Sequence, residues 1–349
     1  MPYTLGVTPH VEGASTRNRG GSGRLDVEGG QEGRLAPALL TEREGRVLTV
    51  RLHKPPRNML DAGVYEELHA LVRSVERDRS VRALVVTGGL PGQFCSGYDG
   101  HELLEQAQAT SYTPTYRQAR ALLAAFGALV RVPGAAAALA RTPLGGIVSL
   151  LRADDALMRL SRLDKPVIAA IDGVALGGGL SVALACDIRL MSDTDSAVGL
   201  MESNIGFMAG SGATQRLTRL AGASRAIELL LEGRVLGPEE ALAAGLVHRL
   251  VPPGELLPQA HELAERLARR PAHIVRELKR AVYDGGTRRL AAGIRVEQAS
   301  LVATASRPES IRGIEAYHGE IEPLEALTNE KLLAALQRLR DGRVVDLST

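Results

Sequence analysis

An α/β core followed by a helical C-terminal region is the fold class this sequence predicts, on three observations. Short alternating or fully apolar segments read as strands, and helical segments follow them, over roughly the first two-thirds of the chain. Beyond Gly222 the chain reads as helices, with turns at Gly233, Gly237-Pro238, Pro252-Pro253 and Gly285-Gly286. The run Lys165-Pro-Val-Ile-Ala-Ala-Ile-Asp-Gly-Val-Ala-Leu-Gly-Gly-Gly-Leu-Ser-Val-Ala-Leu-Ala-Cys-Asp187 reads as a buried strand, a glycine hinge and a helix whose first turn starts at three glycines.

Residues 1–35 are rich in Gly, Ser, Glu and Arg with little periodic hydrophobicity. Such a composition cannot bury enough surface to offset its ordering entropy, so a flexible N-terminal tail is expected ahead of a core over 36–252. Arg46–Leu52 alternates as a strand, Lys54–Asn58 is a turn, and Asp61 is the N-cap of a helix through about Asp78. Val81–Thr87 is a second, more fully buried strand that ends in Gly88-Gly89 and a loop over Pro91–Asp99. The stretch near 103–163 is Ala-, Leu- and Arg-rich and helical, broken at Pro133-Gly134 and Pro143. It either covers a pocket or packs against a neighbouring subunit. Strand 166–171 and helix 178–186 follow, then a short strand over Asp187–Met191 and an apolar loop within Val198–Leu217 that leads into another glycine-hinged helix. Residues 253–349 form the helical C-terminal region, with Lys279 and Arg280 on a solvated helix face.

Composition narrows the function classes. The 349 residues are 45% hydrophobic and 23% charged, in the range of soluble globular proteins. Aromatic residues are only 3%, with no Trp, too few for stacking platforms along single-stranded nucleic acid. The net charge of +2 comes from interspersed acidic and basic residues, which argues against a nucleic acid or a membrane surface as partner. Cys95 and Cys186 cannot make a disulfide framework, lack metal-ligand spacing and read as packed thiols. No leader-like apolar stretch and no bilayer-length segment stand out, so the cytoplasm is the expected location.

The chemistry is expected to centre on the glycine triplet. A helix start leaves backbone N–H groups unpaired and carries the positive end of the helix dipole. Without side chains at Gly177, Gly178 and Gly179, a negatively charged oxygen can approach those groups closely. Glu202 lies in the apolar loop, where burial would raise a carboxyl pKa toward neutrality and suit it to proton transfer. As a structural residue it would instead cap the following turn or pair with an arginine. Ser181 either holds a water or a substrate hydroxyl or simply fills the first turn of its helix. Asp99 reads as a helix cap and His101, just after it, as a second acid/base or an exposed helix-start residue. Lys54 and Arg57 either meet phosphate groups or belong to a solvated turn.

The order of these motifs resembles the crotonase superfamily, the enoyl-CoA hydratase/isomerase group. The resemblance runs from about Leu39 to at least Tyr317 and rests on Phe94-Cys-Ser-Gly-Tyr-Asp99, Lys165–Asp187, Gly199–Leu217 and Gly237–Val251. It implies a spiral of ββα units, a C-terminal helical region used in forming a homotrimer or a dimer of trimers, an acyl-CoA thioester substrate, and no metal or other cofactor. It also implies an oxyanion hole of two backbone N–H groups, here those of Tyr98 and Gly178, that holds the thioester oxygen as it becomes an enolate. Glu202 falls where many members carry a catalytic glutamate, and Ser181 where hydratases place a second one. Ser96 and Gly179, beside the two donors, are expected on the substrate, and so are Lys54, Arg57 and His101. Tyr317 stands where members often have an aromatic that contacts the CoA of a neighbouring subunit, although His318-Gly-Glu after it does not reproduce the usual basic pattern. The stretch near 103–163 is longer than in the simplest members, by roughly 30 residues. Hydratase-lyase or decarboxylase chemistry, and a catalytically degenerate acyl-CoA-binding protein, are the alternatives to hydration or isomerisation.

Overall fold

The computed structural model describes residues 37–349 except 110–113, 131, 133, 143–144, 253, 306, 322–333, 335, 339–340 and 342–349; the expected tail over 1–35 lies outside them. The chain starts with an antiparallel pair, β1 (Leu39–Glu44) and β2 (Val47–Leu52), then β3 (Met59–Leu60) and helix α1 (Ala62–Arg77). Asp61 caps α1 as expected, its carboxylate accepting from the Val64 N–H at 2.8 Å. The next turn carries β4 (Ala83–Gly88), β5 (Gln93–Cys95), β6 (Gly97–Tyr98) and four helices: α2 (Gly100–Ala109), α3 (Tyr116–Leu129), α4 (Ala135–Ala140) and α5 (Gly145–Arg162). β7 (Val167–Ile171), β8 (Val174–Leu176) and α6 (Gly178–Ala185) make the third turn, and β9 (Ile188–Ser192), β10 (Ala197–Gly199), α7 (Ala213–Ala221) and α8 (Ala223–Glu232) the fourth. After β11 (Val235–Leu236), α9 (Pro238–Ala243) and β12 (Arg249–Val251) come α10 (Leu256–Ala268), α11 (Ala272–Lys279), α12 (Leu290–Ala305) and α13 (Pro308–Ile321).

Successive turns add strands to two sheets, and this makes the spiral. The larger sheet runs β1-β2-β4-β7-β9-β12, parallel except at the β1 edge, and the smaller runs β11-β10-β8-β5. Parallel strands buried on both faces need near-continuous apolar sequence, and Val167-Ile-Ala-Ala-Ile171 supplies it with every side chain fully buried. Alternation along the strands then feeds two core layers. Val50, Leu84, Val86, Ala169 and Ile171 face the side covered by α1, α5 and α6. Val47, Ala83, Val85, Ile168 and Ala170 face α10, which contributes Leu256, Ala260, Leu263 and Ala264.

Four expectations need correction. The loop over 91–99 contains β5 and β6, and the region read as helices alone contains β11 and β12, all too short to show an alternating pattern. The expected division at 252/253 is not a break in packing, because α10 completes the core. Lys279 is not on a solvated face. It is 9% exposed, donates to the Lys165 carbonyl at 2.8 Å and pairs with Asp187 at 2.6 Å, while Arg280 is exposed and pairs with Glu277. Asp187 also accepts from the Val167 N–H and the Tyr283 hydroxyl, so the pair ties α11 to the sheet. Removing one member of a buried pair leaves the other charge uncompensated. Lys279→Met is therefore expected to lower unfolding stability by about 3 kcal/mol, read from the denaturant midpoint.

Candidate active site

A cavity of about 360 Å³ opens where α6 begins, bounded by β6, α2, α5 and the segment after β10. Its polar groups come from Tyr65, Ser96, Tyr98, Gln106, Ser149, Ser181, Glu202 and Ser211, and Leu103, Leu150, Ala153, Met201 and Phe207 supply apolar wall. Of the two uses expected for the stretch near 103–163, α2 and α5 show the first: they line a pocket.

Gly177 turns the chain from β8 into α6 at φ 50° and ψ −118°, a left-handed value that favours glycine. Its N–H bonds to the Gly199 carbonyl, and the first turn of α6 closes with Ser181 N–H donating to the Gly177 carbonyl at 3.0 Å. The Gly178 N–H precedes that first closing bond and so has no partner within the helix. A β-carbon placed on Gly178 would stand 3.9 Å from the backbone nitrogen of Tyr98, so the two expected donors share one small region of the wall. Tyr98 is fixed there by the parallel pairing of β6 with β3 and by the Asp99 N–H bond to the Leu60 carbonyl at 2.7 Å. Asp99 caps α2, as expected, through the His101 N–H at 2.9 Å.

Glu202 opens a short 3-10 turn, Glu202–Ile205, closed by Gly206 at φ 72°. Its Oε1 would lie 3.1 Å from a β-carbon on Gly177, and its Oε2 is buried with no hydrogen-bond partner among the described residues. Burial raises its pKa above the ordinary carboxylate value, because the charged form loses hydration that a bond from its own backbone N–H only partly replaces. A carboxylate so placed is suited to take up and return a proton.

Ser181 is buried in the same wall, but its hydroxyl donates to the Gly177 carbonyl at 3.1 Å. That bond ties its hydroxyl to the first turn of α6. The Tyr98 phenol donates to Glu102 Oε1 at 3.0 Å, and Gln106 donates to the same oxygen at 2.7 Å. Glu102 also accepts from the Ala62 N–H at 3.1 Å, which ties α2 to the start of α1.

Ser96 lines the cavity, whereas the other five expected substrate contacts lie outside it. Gly179 faces Cys95: a β-carbon there would come within 2.4 Å of the Cys95 carbonyl oxygen, so its glycine serves packing. His101 is exposed on the first turn of α2, outside the cavity. Lys54 is ion-paired with Asp61, the α1 cap, and Arg57 is exposed on the turn before it. Tyr317, on α13, is 44% exposed and does not line the cavity of its own chain. Both cysteines are packed thiols as expected, with burial pushing each pKa up to about 12. Sequence reasoning missed Tyr65, Gln106 and Ser211. Tyr65 lies on the buried face of α1 and reads as core, and Ser211 is marked only by its place between Gly210 and Gly212.

Residues 42–138 and 148–324 match the enoyl-CoA hydratase/isomerase family. The chain belongs to that family. The unmatched residues 139–147 fall within the helical stretch 103–163, at the junction of α4 and α5. The chain is 30% identical over 280 residues to the putative enoyl-CoA hydratase/isomerase YngF of Bacillus subtilis, covering 80% of this chain and 94% of that protein. Identity to the human mitochondrial methylglutaconyl-CoA hydratase is 31% over 271 residues, covering 76% and 69% respectively. The crystal structure of an enoyl-CoA hydratase from Bacillus anthracis superposes with a TM-score of 0.65 at 27% identity, over 81% of this chain and 96% of that one. The spiral with its helical C-terminal region is therefore the expected crotonase-like fold, and the protein is an enzyme of the enoyl-CoA hydratase/isomerase type.

Proposed function

We propose that this enzyme acts on an acyl-CoA thioester, holding the thioester oxygen between the N–H groups of Tyr98 and Gly178 while Glu202 moves a proton on the acyl chain. The observation that carries this reading is the partnerless carboxylate oxygen of Glu202 beside the glycine-started helix, within a largely apolar cavity. Loss of a proton next to a thioester carbonyl places negative charge on that oxygen. Fixed backbone donors stabilise it by about 3–4 kcal/mol each, judged from removal of one such donor in a hydrolase.

Among the described residues that line the cavity Glu202 is the single carboxyl, and Ser181 spends its hydroxyl proton on the Gly177 carbonyl. One base suits migration of a double bond: Glu202 takes a proton from the carbon next to the thioester and returns it two carbons further along. It also suits hydration in which the same carboxyl handles water and proton in sequence. Incubation with 3-hexenoyl-CoA and crotonyl-CoA, followed by the absorbance of the conjugated thioester, separates the two. A gain from 3-hexenoyl-CoA means isomerisation and a loss from crotonyl-CoA means hydration; no change with either would sink both for short acyl chains.

Assembly into a trimer would cover Leu290, Leu301 and Val302 on α12, which are 79%, 66% and 74% exposed in the single chain. The mass of the protein in solution is expected to be that of three or six chains. A monomer by sedimentation would overturn this.

A further inference from the structure

Tyr65 has no role in the two-donor scheme, yet its hydroxyl stands at the donors. A β-carbon on Gly178 would lie 3.4 Å from the Tyr65 hydroxyl and 3.9 Å from the Tyr98 nitrogen, so phenol and backbone N–H border the same space. The side chain is 2% exposed, comes from the first turns of α1 and stacks on Tyr98 with ring centroids 6.3 Å apart. The ring therefore has little freedom to turn its hydroxyl elsewhere.

The hydroxyl has one hydrogen-bond partner among the described residues, Ser211 Oγ at 3.4 Å. Ser211 lines the cavity too, and the contact is built at a cost. Its φ is 53°, a left-handed conformation that a serine adopts at about 1 kcal/mol or more above glycine, although glycines flank it on both sides. The Arg216 guanidinium holds this strained turn by donating to the Ser211 carbonyl at 2.9 Å. When the Ser211 hydroxyl donates to the phenol oxygen, the phenolic proton is left to point into the cavity, and a phenol that accepts one hydrogen bond donates a stronger one. Burial raises the Tyr65 pKa, so the group stays a neutral donor.

We propose that the Tyr65 hydroxyl is a third hydrogen-bond donor to the developing thioester enolate, oriented by Ser211. The inference rests on the reading that the Tyr98 and Gly178 N–H groups hold that oxygen. No proton leaves the phenol: it shares its hydrogen with the oxygen while Glu202 carries out the transfer.

Acetoacetyl-CoA is the probe, because its enolate absorbs in the near ultraviolet more strongly than its keto form and needs no turnover to be seen. At fixed pH, binding to the wild-type enzyme is expected to raise the enolate fraction. Tyr65→Phe keeps the ring and its stacking, and is expected to lower the enolisation constant of the bound probe about tenfold or more while the probe still binds. Ser211→Gly removes the orienting hydroxyl and relieves the backbone, and is expected to give a smaller loss in the same direction. An enolate in the wild-type enzyme that Tyr65→Phe leaves unchanged overturns the third donor and leaves the two-donor site standing. No enolate in the wild-type enzyme overturns the two-donor site and the third donor with it. Should Tyr65→Phe not fold, Ser211→Gly decides: an unchanged enolate fraction rejects the proposal and a reduced one supports it.

Discussion

Glu202→Gln is expected to lower kcat by about 10²- to 10⁴-fold and to leave KM for an active acyl-CoA nearly unchanged. The amide has the size of the carboxyl and fits the same turn, but it cannot accept and return a proton. The wild-type pH profile should show the same group. Burial raises the Glu202 pKa, and the base must be ionised to act. Activity should therefore fall with decreasing pH through a midpoint above the ordinary glutamate value of about 4.3, and the variant's residual activity should lack that limb. Stability carries the opposite sign. A carboxyl whose pKa is raised on folding favours the folded state when protonated, and that contribution disappears as pH rises through the folded pKa. The amide resembles the protonated form at every pH, so E202Q should unfold at a temperature no lower than wild type at neutral pH and match it in acid. A variant destabilised at neutral pH would show instead that the carboxylate holds the fold together.

The parts of the fold legible in the sequence are those where local chemistry and tertiary demand agree. β7 and α6 are bounded by the residues that define them: an apolar run, a glycine hinge and a glycine-started helix. Asp61 is legible as a cap because its partner, the Val64 N–H, is three residues away. β12 is not legible. Its three residues become a strand only by pairing with β9, and of them only Val251 is fully buried. Lys279 escapes for a similar reason: its partners Asp187 and the Lys165 carbonyl come from far earlier in the chain. An ammonium buried by distant partners leaves no trace in its own helix.

The candidate site divides along the same line. Tyr98, Gly178 and Glu202 were accessible from motif order because backbone groups at fixed turns place them. Not every neighbour in sequence follows them into the cavity. Successive helical residues point about 100° apart, so Gly179 turns toward Cys95 while Gly178 faces the opening. His101 rotates to solvent in the same way, while Gln106 of that helix reaches the wall. Tyr65 satisfies the apolar periodicity of α1 so fully that only its spatial neighbours, Gly178 and Ser211, distinguish it from core.

That angular difference makes Gly178→Ala the sharpest test of the backbone site. Gly178 has ordinary helical φ, and alanine is favoured over glycine inside a helix by about 1 kcal/mol, so the backbone does not resist the change. The new methyl would stand 3.1 Å from Leu60 Cδ1, the far end of a flexible side chain, and 3.4 Å from the Tyr65 hydroxyl. Small shifts admit it. It would, however, sit beside the Tyr98 nitrogen, in the space a thioester oxygen must enter to meet both N–H groups. G178A is expected to keep wild-type thermal stability within a few degrees and to lose about 10²-fold or more in kcat, the scale of removing one donor from an oxyanion hole. Gly179→Ala, one residue on, should behave in the reverse sense. Its methyl would meet the Cys95 carbonyl oxygen at 2.4 Å and Cys95 Sγ at 2.9 Å, backbone and packed core that cannot step aside, so its first effect is on folding, read as a lowered unfolding midpoint. A G178A enzyme with near wild-type kcat would remove the helix start from the chemistry, because no oxygen could then be sitting between those two donors.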